Sequence, residues 1–142
     1  MDVTQIVLPY LRANGSGTII NISSFAGIVA LPFGGFYNST KFAVEGLSEA
    51  LSHELEALNI VVKLVEPGAI ATNFRASGEF MPCAIPDYNT DVLNKIFERL
   101  GQATAHLQKA SATDVANTIY EAATDGKVQL RYVVGNDAKI FY

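Results

Sequence analysis

Residues Gly17–Leu47 read GTIINISSFAGIVALPFGGFYNSTKFAVEGL, and the spacing of the apolar positions changes partway along. Gly17–Ser23, GTIINIS, is a short run rich in β-branched residues, the pattern of a strand buried on both faces. Pro32, Gly34 and Gly35 then mark a loop. From Phe36 the apolar residues Val44, Leu47, Leu51, Leu55 and Leu58 fall on one helical stripe. Tyr37 and Lys41 lie in the first turns of that helix, four positions apart, so they share a face.

The flanking segments extend the alternation. Before the strand, MDVTQIVLPYLRANG places Val3, Ile6, Val7, Tyr10 and Leu11 at helical spacing, with Asn14-Gly15 as a stop. Pro9 lacks a backbone donor, so this helix should kink there or have a short regular part. After the long helix, NIVVKLVEPG reads as a second buried strand closed by Pro67 and Gly68. From Ala69 to about Lys109 the pattern loosens around Pro82 and Pro86, apart from a helix over DVLNKIFERL. SATDVANTIYEAATDG is a further helix, with Ser111 or Thr113 as N-cap and Gly126 as stop, and VQLRYVV is a third strand. Helices alternating with strands imply an α/β fold of parallel strands joined by crossover helices, without repeat or linker.

Composition restricts the function classes. The chain has 142 residues, 49% hydrophobic and 17% charged, as in one globular domain. Its net charge of -4, from 10 Lys and Arg against 14 Asp and Glu, argues against a nucleic-acid surface or an anionic membrane. A small-molecule partner fits better. The single cysteine, Cys83, forms no internal disulfide, and together with the lack of a leader pattern it favours the cytoplasm. Polar residues interrupt every apolar run before it reaches the roughly twenty residues of a membrane helix. Asn-x-Ser/Thr triplets at Asn14, Asn21 and Asn38 are read as chance matches to the glycosylation pattern. His53, His106 and Cys83 are read as surface or packing residues, and no cluster has metal-ligand spacing.

In a parallel α/β sheet, ligands bind at the carboxyl ends of the strands. Ser24 ends the first strand and Pro67-Gly68 ends the second, while Tyr37 and Lys41 open the helix between them. One edge of the sheet should therefore hold all of them. A free phenol ionises near pH 10, poorly matched to acid–base work at neutral pH. An ammonium at roughly 5–6 Å, at an effective dielectric constant of about 20, favours the phenolate by on the order of 3 kcal/mol. Tyr37 could then exchange a proton with a carbonyl or alcohol oxygen to which Ser24 also hydrogen-bonds. A tyrosine four before a lysine is common by chance, so the weight lies on its conjunction with Ser24 and the strand-ending PGAIAT.

GTIINISSFAG, FYNSTKFAVEGL and VEPGAIATNF together resemble the second half of the short-chain dehydrogenase/reductase family, which are NAD(P)-dependent oxidoreductases on a Rossmann fold. The resemblance implies a truncated, Rossmann-like doubly wound sheet of about three strands. It places Ser24, Tyr37 and Lys41 on the family's catalytic serine, tyrosine and lysine. Tyr37 would donate or accept the proton, and Lys41 would also bind the nicotinamide ribose. Pro67, Gly68, Ile70 and Thr72 would flank the nicotinamide of NAD or NADP. Phe74 to Lys109 would be the substrate loop, and Phe74, Phe80, Met81 and Tyr88 imply an apolar carbonyl or alcohol substrate. LRYVVGNDA resembles the family's last strand, and a homo-oligomer is expected. The family's Gly-rich turn, Asn-Ala-Gly segment and active-site asparagine have no counterpart, and no G-x-G-x-x-G occurs. Residues 1–142 are accordingly read as a partial Rossmann domain lacking the amino-terminal dinucleotide-binding half, with Met1 as an internal methionine. The alternative is a catalytically silent fragment acting as an association module.

Overall fold

The computed structural model describes residues 2–78, 85, 90–104, 106–140 and 142. Its elements are α1 (Asp2–Asn14), β1 (Gly17–Ile22), α2 (Gly35–Glu56), β2 (Ile60–Pro67), α3 (Thr90–Thr104), α4 (Ala112–Thr124), β3 (Arg131–Val134) and the short α5 (Asn136–Lys139). Single 3-10 turns lie at Phe25–Gly27 and Asn73–Arg75. The strands form one parallel sheet in the order β1-β2-β3, with Gly17 opposite Ile60 and Leu64 opposite Arg131.

Alternation along β2 sends successive side chains to opposite faces, and each face meets a different helical layer. Ile60 and Val62 join Ile19 and Leu55 in a core that Leu8 and Leu11 of α1 and Leu51 of α2 complete. Val65, Tyr132 and Val134 pack with Ala122 on the other face, against Val115 and Ile119 of α4. The sheet is thus covered on both sides, in agreement with the doubly wound expectation. A mostly apolar run, broken by Lys63 and Glu66, suits the middle strand, since it meets protein on both faces.

Several local expectations change. Helix α1 passes through Pro9. The missing N–H removes the bond to the carbonyl four residues back, and Pro9 sits on the exposed side of the helix. Helix α2 ends at Glu56, so Leu58 falls outside the stripe, in a turn where Asn59 takes a left-handed φ of 55°. Strand β3 begins only at Arg131, and Val128 is solvent-exposed. Asp125 explains this shortening, because its carboxylate accepts the Lys127 N–H at 3.0 Å and turns the chain before it can join the sheet. The N-cap of α4 is Ser111, in a capping box with Asp114.

Candidate active site

Ser24 stands just beyond β1, in extended backbone, as N-cap of the first 3-10 turn. Its hydroxyl accepts the Ala26 N–H at 3.2 Å and donates to the Pro67 carbonyl at 3.4 Å, which links the ends of β1 and β2. It is buried, at 7% exposure.

Tyr37 lies in the first turn of α2 and is 38% exposed. Its neighbour Asn38 is buried and donates from Nδ2 to the Leu31 carbonyl at 2.8 Å, tying the helix start to the preceding loop. Phe33, in that loop, takes a left-handed φ of 60°. One turn along α2, the Lys41 ammonium lies 5.8 Å from the centre of the Tyr37 ring and donates to the Ile22 carbonyl at 3.1 Å. Partial burial pulls the Lys41 ammonium below the usual lysine range, and nearby Glu45 opposes that shift. Among the described residues no carboxylate forms an ion pair with Lys41.

The four residues expected beside a nicotinamide follow directly. Pro67 ends β2, and the Gly68 N–H donates to the Val134 carbonyl at 2.8 Å. Ile70 forms an isolated parallel bridge with Ala110. Thr72 caps the second 3-10 turn, accepting the Phe74 N–H at 3.4 Å. The Phe74 ring lies 6.0 Å from that of Tyr37, so the segment after β2 returns to α2. Phe33 similarly meets Phe97 of α3, with ring centres 6.1 Å apart. Phe80, Met81, Cys83 and Tyr88 lie outside the described residues.

Hydrogen bonds and ring contacts therefore connect the expected residues as two short series, Ser24 with Pro67, and Ile22 through Lys41 and Tyr37 to Phe74. Three polar residues around them were not anticipated. Asn38 was visible only as a triplet asparagine, although its side chain is buried and bonded. Glu66 is fully buried beside Glu45 and Arg131, and burial raises it to about 7, against the Tyr142 hydroxyl that donates to it. Asp137 was part of LRYVVGNDA but had no assigned role; its carboxylate accepts the Ala69 N–H at 2.6 Å. Among the described residues no group of His, Cys, Asp or Glu could hold a metal ion, and no helix is long and apolar enough to cross a membrane.

A parallel sheet covered on both faces, with a tyrosine and a lysine one helical turn apart at the carboxyl ends of its strands, defines a Rossmann-like α/β protein. The short chain dehydrogenase family model matches residues 1–80. An uncharacterised oxidoreductase of Schizosaccharomyces pombe is 36% identical over 137 residues, covering 96% of this chain and 56% of that relative. A short-chain dehydrogenase from Streptomyces avermitilis has a similar structure, with a TM-score of 0.77 and 34% identity over 98% of this chain and 50% of that one. A 3-ketodihydrosphingosine reductase of Bacteroides thetaiotaomicron is 49% identical over 74 residues, 52% of this chain and 28% of that relative. The chain belongs to the short-chain dehydrogenase family, and it spans about half the length of the curated relatives that it matches along most of its length.

Proposed function

We propose that this chain supplies the proton-transfer side of an NAD- or NADP-dependent oxidoreductase acting on an apolar carbonyl or alcohol substrate. The observation that carries the reading is the Tyr37–Lys41 pair, one turn apart in α2, with Lys41 bonded to the end of β1 and in no ion pair with a described carboxylate. In this reading Tyr37 exchanges the proton with the substrate oxygen. Lys41 holds the nicotinamide ribose. An ammonium has three N–H donors, and Lys41 directs one to Ile22, so its chemistry fits a pair of ribose hydroxyls. Ser24 turns its hydroxyl from the Pro67 carbonyl to hydrogen-bond the substrate oxygen, and Pro67, Gly68, Ile70 and Thr72 flank the ring. The cofactor, when bound, supplies or takes up the hydride. Proteins of the same fold from Burkholderia cenocepacia and Brucella melitensis are in complex with NADP and NADH, respectively.

Exposed Phe74 against Tyr37, the Phe33–Phe97 contact and the relative named for 3-ketodihydrosphingosine support an apolar ketone. The same reading takes residues 1–142 as one partial domain, working in the cytoplasm as a homo-oligomer. Its supports are Cys83 as the single cysteine and the apolar residues Val3, Ile6, Tyr10 and Phe36 that α1 and α2 expose.

Tyr37→Phe removes the proton-exchanging oxygen and keeps the ring against Phe74. In a full-length version that carries both halves of the domain, steady-state assays with reduced nicotinamide and a ketone should show kcat falling at least about a thousand-fold with an unchanged melting temperature. Near-normal turnover would overturn the assignment, and cofactor binding without turnover in the unaltered protein would favour a silent association module.

A further inference from the structure

The turn after β2 is gripped by a carboxylate from the far side of the sheet's end. Asp137, in α5, is 8% exposed and accepts the Ala69 N–H through Oδ2 at 2.6 Å. Two glycines make room for it. A Cβ on Gly68 would lie 2.4 Å from Asp137 Oδ1 and 2.6 Å from Oδ2, and one on Gly135 would lie 2.6 Å from Oδ1. Gly135 also takes a φ of +102°, which bends the chain out of β3 so that the carboxylate two residues later faces back over Gly68. The Gly68 N–H, bonded to the Val134 carbonyl at 2.8 Å, extends the strand pairing up to the point where Asp137 takes over.

Burying a carboxylate is unfavourable, and here Oδ1 has no hydrogen-bond partner among the described residues. A neutral apolar residue would fill the same space without that penalty. What the carboxylate adds is a directed, charge-assisted hydrogen bond to one backbone N–H of the turn. We propose that Asp137 is the positioning residue that sets where the Pro67–Gly68–Ala69 turn stands beside the nicotinamide. The effect on rate rests on the cofactor reading above, whereas the hold on Ala69 does not. Gly68 is then required for what lies behind the turn as well as for what lies before it.

Amide hydrogen exchange at Ala69, followed by NMR, tests the hold directly in the unaltered protein. Ala69 is exposed, yet its amide should exchange slowly and resonate downfield because the carboxylate accepts it. In Asp137→Ala this exchange should accelerate roughly ten- to a hundred-fold, and Asp137→Asn, which keeps an oxygen at that point, should restore most of the protection. Alongside, Asp137→Ala should lower kcat about a hundred-fold and raise the cofactor KM, with Asp137→Asn recovering to within about tenfold. Exchange at Ala69 as fast as in an open loop of the unaltered protein would overturn the proposal, even if Asp137→Ala does not fold. Faster exchange in Asp137→Ala with unchanged kcat and KM would overturn the positioning role. Turnover absent from the unaltered protein would count against the cofactor reading, while Ala69 exchange still decided the hold.

Discussion

Two lysines of this chain sit near tyrosine rings, and their surroundings give them opposite chemistry. Lys41 Nζ lies 5.8 Å from the Tyr37 ring and Lys63 Nζ 5.3 Å from the Tyr132 ring. Lys63 is 2% exposed, bonded to Asp125 at 2.6 Å and to the Ala122 carbonyl in the last turn of α4 at 2.7 Å. Tyr132 completes the group by donating to Asp125 at 2.7 Å. Burial alone would lower the Lys63 ammonium, but its bond to Asp125 and the neighbouring Tyr132 outweigh burial and raise it. Asp125 is correspondingly held well below the usual carboxylate range, first by its bond from Lys63 and then by Tyr132. Lys41 has one carbonyl partner and no ion-paired carboxylate among the described residues, so burial prevails and lowers it. A Lys–Tyr pair closed by a third, anionic group clamps a helix to a sheet; the Lys41 pair lacks such a group among the described residues.

The largest separation between the pairs should come from removing each cation. Lys41→Met should reduce kcat/KM at least about a hundred-fold, raise the cofactor KM and leave the melting temperature within a few degrees. Lys63→Met should do the reverse and lower the melting temperature, because Asp125, with a side chain only 8% exposed, is left with the longer Lys127 contact at 3.8 Å in place of Lys63 at 2.6 Å. Turnover per folded molecule should not change. Assays paired with thermal unfolding would break the comparison if both variants lost stability alike.

The difference between the pairs also explains what the sequence made legible. Tyr37 and Lys41 are four apart on one helix, so local periodicity suffices to bring them together, and the strand endings at Ser24 and Pro67-Gly68 fix their position in the sheet. Lys63, Asp125 and Tyr132 meet across two strands and a helix terminus, and in IVVKLVEP the lysine looks like an interruption of a buried strand rather than half of an ion pair. The same holds for Glu66, which α2 and Arg131 surround on the opposite face. Asp137 was hidden for another reason. Its partner is a backbone N–H, and no side-chain spacing reveals such a bond. The early end of α2 and the late start of β3 depended on the Asn59 turn and on Asp125, where tertiary contacts override periodicity.

A smaller effect should distinguish Glu66 from both lysines. Its folded value of about 7 lies above that of an ordinary carboxylate, chiefly through burial, so the folded state holds its proton more tightly than the unfolded chain does. Its contribution to stability is therefore fully present below about pH 4.3 and is lost as the pH rises towards 7. Denaturant unfolding should show stability declining between pH 5 and 8 through this group. Glu66→Gln should flatten that decline. An unchanged slope in the variant would assign the pH dependence elsewhere.

The contrast between the two cations can be read without any assay of turnover. With 13C-methyl labels on the lysines, or by direct observation of 13Cε and 15Nζ resonances, Lys41 and Lys63 can be titrated in the same sample and assigned through Lys41→Met and Lys63→Met. Lys41 should titrate below the ordinary lysine value of about 10.4 and Lys63 above it. Coincident titrations, or Lys41 above Lys63, would contradict the claim that the lack of an ion-paired carboxylate among the described residues sets the Tyr37 pair apart.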